Sequence, residues 1–407
     1  MKIFVQIAAY RDPQLIFTIK DMLDKAKHPD NLVICIAHQY DDINVLNEYR
    51  FDERFKIIDI AFQESKGACW ARNLIQQKYN GEEYTLQIDS HHRFVQYWDE
   101  ILINMIKDLQ NKGYEKPLLT AYLPSFDPEN DPDKRINIPW KMNFDRFIPE
   151  GAIFFMPNGI DGYDELNEPV RSRFYSAHFC FTLGQFCNEV QHDPDYYFHG
   201  EEISIAVRAF TWGYDLFHPH RVIAWHEYTR KGRPKQWDDD SIWGKRNENC
   251  HAKNRKLFGM DGETPADNFG IYGFGKKRTL RDYEEYAGIS FSKRGIQKYT
   301  LDNKYPPNPK CQNEDDFNKS FIIKFKYYID IDPNQFTEND YDFWVVAFHD
   351  KNNETVYRKD FKIKGIKRIL EMRKIKVNFY PNTAPINWII WPHSKSKGWL
   401  KKIYSNV

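Results

Sequence analysis

The opening part of the chain alternates between two hydrophobic patterns. Residues 3–9 (I-F-V-Q-I-A-A) are apolar but for one glutamine, as in a strand buried on both faces. Tyr10-Arg11-Asp12-Pro13 stops that run, and Leu15, Ile16, Ile19, Met22 and Leu23 then recur at helical spacing. Apolar runs return at 32–37, 56–60 and 84–88, and the first of these ends in His38 and Asp41-Asp42. Ser65-Lys66-Gly67 opens a second helix carrying Ala68, Ala71, Leu74 and Ile75. Strand, helix, strand, strand, helix, strand in that order predicts a doubly wound α/β half. No G-x-G-x-x-G follows the first strand, so a dinucleotide fingerprint is absent.

Farther along, the periodicity predicts a helix over 97–109 and a strand over 117–121. Residues 123–150 are rich in Pro, Asp and Asn and predict a long surface excursion. Strands are predicted at 154–156, 172–183 and 221–225, and helices at 202–212 and 245–258. Glycines at 259, 262, 270, 273 and 275, with Lys276, Lys277, Arg278 and Arg281, predict a flexible cationic segment over 259–281. Pro306-Pro307-Asn308-Pro309 punctuates the chain. Beyond it, runs at 321–331, 341–349, 355–361 and 388–391, with turns such as Lys351-Asn352-Asn353, predict a small all-β, sandwich-like domain. The predicted organisation is an α/β domain over 1–300, a linker over 301–314 and a β-rich accessory domain over 315–407.

Composition agrees with two domains, because 407 residues exceed what one core usually organises. Lys+Arg and Asp+Glu are both 58, so no global field points to nucleic acid as a partner. The last 46 residues depart from that balance, with eleven Lys/Arg and one Glu. They read as a solvated face or as a contact with an acidic acceptor or a membrane surface. The six cysteines form no C-x-x-C pair and are expected as reduced thiols of a cytoplasmic protein, with Cys35, Cys69 and Cys180 buried. The N-terminal run is too short for a signal peptide, and no apolar run approaches the roughly eighteen residues that cross a bilayer.

Candidate chemistry centres on Y-T-L-Q-I-D-S-H-H-R-F at 84–94. Side chains two apart on a strand share a face, so Asp89 and His91 can both reach one divalent ion at the strand's carboxyl end. The bland alternative is a polar turn whose Asp89 caps the next helix. His226, at the end of a predicted strand, completes a candidate first-row metal site, for which carboxylate and imidazole suit Mn²⁺ better than Ca²⁺. Such an ion beside basic groups is what a nucleotide-sugar donor needs, since it stabilises the diphosphate as the glycosidic bond breaks. Arg72, early in the Gly67 helix, either adds positive charge there or sits on the helix surface. Glu201 and Glu202 precede a helix, where negative charge is favoured, and Gly200 beside them would let a sugar ring approach the backbone.

Taken together, I-A-A-Y-R-D-P at 7–13, G-A-C-W-A-R-N at 67–73, I-D-S-H-H-R-F at 88–94 and H-G-E-E at 199–202 resemble a known glycosyltransferase family. It is that of the cytoplasmic GlcNAc-transferases that modify hydroxyproline in Skp1-type proteins, family 60 of the carbohydrate-enzyme classification. Y-G-F-G-K-K-R-T-L-R-D-Y at 272–283 fits the same pattern. The likeness spans residue 1 to about 290, and it extends more distantly to polypeptide GalNAc-transferases. It implies a GT-A type nucleotide-sugar-binding fold with a mixed central sheet, a UDP-sugar donor (UDP-GlcNAc first), Mn²⁺ or another divalent cation, and retention of α configuration. By the same resemblance Asp89, His91 and His226 would hold the metal, and Glu201 would contact the donor sugar. Tyr10, Arg11 and Arg72 would line the uridine diphosphate pocket, and the 270–281 segment would close over it with Lys276 or Arg278 on phosphate. Glu202 would orient the acceptor; His92, Arg93 and His199 are supporting candidates or, on the plainer and favoured reading, satisfied polar loop residues. The accessory domain lies outside the likeness, so the acceptor is a protein or a glycan. Two other readings compete: a metal-dependent hydrolase acting on a carbohydrate, and a non-catalytic glycan-binding protein.

Overall fold

The computed structural model describes residues 1–262, 269–381 and 383–407. Residues 263–268 of the glycine-rich segment predicted above lie outside the described residues. The chain divides into two compact units, one of 1–292 with 299–310 and one of 293–298 with 311–407.

In the first unit the elements are, in order, β1 (Ile3–Tyr10), α1 (Leu15–Lys25), β2 (Leu32–Tyr40), β3 (Phe55–Ala61), α2 (Ala68–Gln76), β4 (Tyr84–Asp89) and β5 (His92–Phe94). Then come α3 (Trp98–Asn111), β6 (Lys116–Thr120), β7 (Trp140–Phe147), β8 (Ile153–Gly159), β9 (Val170–Arg171), β10 (Phe179–Leu183) and α4 (Phe186–Glu189). The unit continues with α5 (Glu201–Thr211), β11 (Tyr214–His218), β12 (Ala224–His226), α6 (Gln236–Asp239), α7 (Trp243–Leu257), α8 (Leu280–Ala287) and β13 (Ile289–Ser290).

Eight strands form one mixed sheet in the order β3-β2-β1-β4-β10-β6-β11-β9. β1 is parallel to β2 and to β4, whereas β10 runs antiparallel to both β4 and β6. The continuous apolar run of β1 follows from helices on both sides. Ile3, Val5, Ile7 and Ala9 share a core with Leu15, Ile19 and Met22 of α1 and Trp98, Leu102 and Ile106 of α3. Phe4 points the other way, to Ala71 and Ile75 of α2. Losing one such side chain to alanine costs roughly 2–5 kcal/mol. The one polar position is half satisfied: the Gln6 amide donates to Thr85 Oγ1 at 2.8 Å, while its Oε1 meets no hydrogen-bond partner among the described residues.

Part of the predicted 123–150 excursion is ordered sheet. β7 pairs with β8 as a hairpin, and Met142, Phe144 and Phe147 are buried. The predicted strand over 172–183 shortens to β10, because the Ser172 hydroxyl folds back onto its neighbouring backbone and accepts from the Phe174 amide at 3.1 Å. All six cysteines are free thiols, five of them buried, including Cys35, Cys69 and Cys180. Among the described residues no helix is long and apolar enough to cross a membrane.

The second unit is built from antiparallel sheets: β14 (Gly295–Gln297) with β15 (Phe321–Ile323), β16 (Phe325–Asp330) with β19 (Lys374–Phe379), and a larger sheet. The larger sheet comprises β17 (Tyr341–His349), β18 (Thr355–Lys362), β20 (Asn387–Ser394), β21 (Gly398–Trp399) and β22 (Ile403–Asn406). Trp344, Val346, Phe348, Trp388, Ile390, Ile375 and Val377 form its core. A helix not anticipated from the sequence, Ile363–Met372, adds Ile366 and Ile369 to that core. This mixed α/β unit followed by antiparallel C-terminal sheets is the expected fold class.

Candidate active site

β1 and β4 end side by side, with Ala8 opposite Asp89. On one side of β1 the sheet continues to β2 and β3, and on the far side of β4 to β10 and β6. The crevice at these carboxyl ends is therefore the switch point where open α/β sheets take ligands. The chain leaves β1 through Tyr10-Arg11-Asp12, with Arg11 at φ 47°. It leaves β4 through Asp89-Ser90-His91. A small sheet brings in the remote part of the site. β12 runs antiparallel to β5 with His226 opposite His92, and the Glu227 amide donates to the His91 carbonyl at 3.1 Å.

Asp89, His91 and His226 thereby offer ligand atoms within 4.8 Å of one another. Nε2 of His91 lies 3.7 Å, and Nε2 of His226 3.5 Å, from Asp89 Oδ2. Both ring nitrogens of His226 are buried and, beyond the 3.5 Å approach of Nε2 to Asp89 Oδ2, meet no hydrogen-bond partner among the described residues. An orphaned buried imidazole is costly, and binding a cation with its lone pair removes that cost. Burial above all holds its pKa well below the ordinary range, so the ring is neutral and the lone pair available. Burial works against a charge on Asp89, but His226, Arg72 and His91 outweigh it and hold the carboxyl well below its usual range.

Each ligand is held from behind. Arg72 Nη2 donates to Asp89 Oδ1 at 2.8 Å, leaving Oδ2 to the histidines. His91 Nδ1 lies 2.7 Å from Asp12 Oδ2, which also accepts from Ser90 Oγ at 2.7 Å and Arg233 Nη1 at 3.1 Å. A carboxylate behind an imidazole favours the tautomer with the bare Nε2 toward Asp89, and Arg233 Nη1 also lies against His91 Nδ1. Burial alone would raise the Asp12 carboxyl; the hydrogen bond and charge of His91 and the charge of Arg233 bring it down to about 2. His178 stacks on His226 with centroids 4.1 Å apart and planes at 14°. Its own ring is fixed by the Leu123 amide, which donates to Nε2 at 3.0 Å.

The cleft over this floor measures about 560 Å³, a size for a small-molecule or nucleotide ligand. Phe154, Tyr197, Phe198 and Trp237 form an aromatic rim, and Arg230, Arg233 and Lys235 supply positive charge. Glu201 and Glu202 also line it. Burial first raises the carboxyl pKa of both, and for Glu201 the charge of Glu202 adds to it. Glu202 is fully engaged, accepting from the Ala177 amide at 2.9 Å and the Tyr122 hydroxyl at 2.8 Å.

Residues 2–48 and 42–293 match the family described as Glycosyltransferase (GlcNAc). The chain belongs to this glycosyltransferase family. No curated protein matches it. Among solved structures, GalNAc-T7 with UDP, GalNAc and Mn²⁺ is 15% identical over 70% of this chain and 54% of its own, with a TM-score of 0.49. The chain thus spans about half of that relative. TarS of S. aureus is 11% identical over 100% of this chain and 78% of its own, TM-score 0.40. The mannosyltransferase PcManGT from Pyrobaculum calidifontis, in complex with GDP-Man and Mn²⁺, is 12% identical over 57% and 58%, TM-score 0.37. These scores mark loose likenesses, and the family assignment stands on the sequence match.

Within this chain, Tyr10, Arg72, Asp89, His91, Glu201, Glu202 and His226 all line one cleft. Arg11 does not; its guanidinium reaches Asp41 at 3.1 Å and Asp239 at 2.9 Å and lies over the Phe62 ring. Lys276 and Arg278 also lie off the cleft. Arg278 sits on the Phe210 ring, donates to the Tyr214 carbonyl at 3.0 Å and to both Asp215 oxygens at 3.2 Å. The Lys277 and Arg278 amides donate to the Thr211 carbonyl, so this segment is strapped to the end of α5. Lys276 is exposed beside it. His92 is buried with Nδ1 3.0 Å from the Asp89 carbonyl, Arg93 donates to Gln14 Oε1, and His199 lines the cleft. Gly200 has a reason of its own: at φ +105° it begins α5 in a conformation side chains rarely adopt.

Sequence reasoning passed over Asp12, His178, Tyr122 and the cations of R-K-G-R-P-K at 230–235. The last carried a signal, a basic cluster shortly after the His226 strand; Asp12 carried one in its place directly after β1. His178 and Tyr122 carried none, since only packing brings them to the site.

Proposed function

We propose that the chain is a GT-A type, metal-dependent transferase that moves a sugar from a UDP-sugar to a hydroxyl of a protein or glycan acceptor, with retention. UDP-GlcNAc is the first choice of donor, and a family 60 type hydroxyproline acceptor and a glycan acceptor are both within this reading. The observation that carries it is the convergence of Asp89, His91 and His226, the last with no other partner, on the floor of a cation-lined cleft at the sheet's switch point. These three would hold Mn²⁺ or another divalent cation. When bound, it would supply positive charge where the diphosphate leaves.

The chain's own residues divide the remaining work. Arg72 positions Asp89, and Asp12 sets the tautomer of His91. Arg230, Arg233 and Lys235 take the part in phosphate binding first expected of Lys276 and Arg278. Tyr10, its hydroxyl fixed by Asp239 at 2.7 Å, forms one wall of the nucleotide's place. Glu201 faces the donor sugar, while Glu202, pinned by Tyr122 and Ala177, shapes the acceptor side. In front-face retention the departing phosphate oxygen takes the acceptor's proton as the new C1–O bond forms, so no separate base is required.

Calorimetry with UDP, with and without Mn²⁺, followed by a screen of labelled UDP-sugars for slow donor hydrolysis, tests this reading. Mn²⁺-dependent UDP binding and preferential hydrolysis of UDP-GlcNAc are expected. Metal binding indifferent to UDP would favour the hydrolase instead.

A further inference from the structure

Outside the cleft, the C-terminal unit carries aromatic side chains that its own core does not use. Along β20, Trp388 and Ile390 point into the core, so Ile389, Trp391 and His393 point to the other face. The register carries that face across the sheet. His393 lies opposite Phe343 of β17 and Trp399 of β21, and Ile389 lies opposite Tyr404 of β22. The rings gather into a ridge: Trp391 and Trp399 are 4.1 Å apart at 32°, Phe343 meets Trp399 edge-on at 5.4 Å, and His393 lies parallel to Phe343 at 5.0 Å. Trp399 is 46% and Tyr404 76% exposed, a large apolar investment at a surface. Trp391 is tied in place within it, since its Nε1 donates to the Leu400 carbonyl at 3.0 Å.

The charges around it say what it fits. Lys402 Nζ lies 3.9 Å from the Trp391 centroid. Lys395, Lys401 and Lys402 are exposed and pair with no carboxylate among the described residues, whereas Lys397 pairs with Glu338. Two carboxylates also border the face, Asp342 at 3.5 Å from His393 and Asp360 opposite Val345. Flat rings match the C–H faces of pyranoses, carboxylates accept sugar hydroxyls, and unpaired lysines take an anionic substituent. Asp360 is already paired with Arg358 at 3.0 Å, so unpaired lysines set beside Asp342 suit a sparsely charged chain better than a nucleic acid with a phosphate at every residue.

We propose that this face binds a glycan chain carrying negative charge. Calling that glycan the acceptor rests on the transferase reading above; the binding does not. The test is calorimetry of the full chain with size-defined hyaluronan oligosaccharides, beside dextran, polyglutamate and single-stranded RNA. Hyaluronan should bind, with Trp399→Ala and Tyr404→Ala each weakening it roughly tenfold. Lys402→Glu should weaken it and flatten its salt dependence. Tyr404→Ala and Lys402→Glu should keep the wild-type melting temperature. Trp399→Ala should stay folded at a lower one, because it loses its packing on Trp391 and Phe343. All three should keep donor hydrolysis. Equal binding of polyglutamate or RNA, absence of hyaluronan binding, or indifference to Trp399→Ala would overturn the proposal. So would a concentration-dependent dimer that Trp399→Ala dissolves, which would make a second copy the occupant. Loss of the transferase reading alone, with hyaluronan binding intact, would leave this one standing.

Discussion

Replacing Asp12 by Asn removes one charge and almost no volume, and the structure says why that small change should be felt. Asp12 Oδ1 accepts from the Gln14 amide at 2.8 Å, and Oδ2 receives His91, Ser90 and Arg233. An asparagine has one oxygen. Kept toward Gln14, it turns its NH₂ against three donors; turned around, it breaks the Gln14 contact. Relief comes if His91 moves its proton from Nδ1 to Nε2, which removes the lone pair that the proposed ion would use. Losing such an outer-shell carboxylate typically costs 10–100-fold in metal affinity, about 1.4–2.7 kcal/mol. The Asp12 side chain is 2% exposed, so water offers little substitute. Free Mn²⁺ measured by electron paramagnetic resonance during titration reads the affinity directly, and a melting curve checks folding. A folded Asp12→Asn variant that binds Mn²⁺ within twofold of wild type would refute the tautomer argument.

Further outcomes can be checked in the same preparations. His226→Ala should lower Mn²⁺-dependent UDP affinity by more than tenfold; unaltered affinity in calorimetry would remove His226 from the metal shell. Arg278→Ala should lower stability by about 1–2 kcal/mol, since Asp215 keeps Arg171 at 3.3 Å, while leaving the rate of donor hydrolysis unchanged. A large rate loss in a stable variant would return Arg278 to the phosphate. His218 is held neutral with a pKa of about 4, by burial chiefly, against an ordinary 6.5. Its Nδ1 bonds the Thr120 carbonyl at 2.7 Å, and its Nε2 accepts from the Met142 amide. The unfolded state therefore binds the extra proton between pH 6.5 and 4, so stability falls as pH drops through that window, by up to about 3 kcal/mol. Denaturant titrations of His218→Gln should show a shallower acid slope than wild type; equal slopes would count against it.

What the sequence alone determined is what short-range pattern can carry. Buried strands announce themselves by continuous apolar runs, so β1, β2 and β4 were legible with the helices between them. Asp89 and His91 were legible as a pair by their two-residue spacing, but the strand alternation invoked for them does not hold, because β4 ends at Asp89 and His91 lies in the bend that follows. Tertiary structure decided the rest. His226 reaches Asp89 only because β12 pairs with β5, and Asp12 comes behind His91 only because β1 and β4 end in register. The family resemblance implied Lys276 or Arg278 on the donor's phosphate. In the fold that charge is directed elsewhere, because Asp215 and the Thr211 carbonyl lie nearer to the segment than the cleft does. The aromatic ridge is a product of register as well: Trp391 and Trp399 look alike in sequence to Trp388, and only the sheet's alternation turns one inward and two outward. Local pattern fixes which way each side chain points along its own element; which distant chain it then meets is set by strand pairing, through hydrogen bonds that any backbone can make.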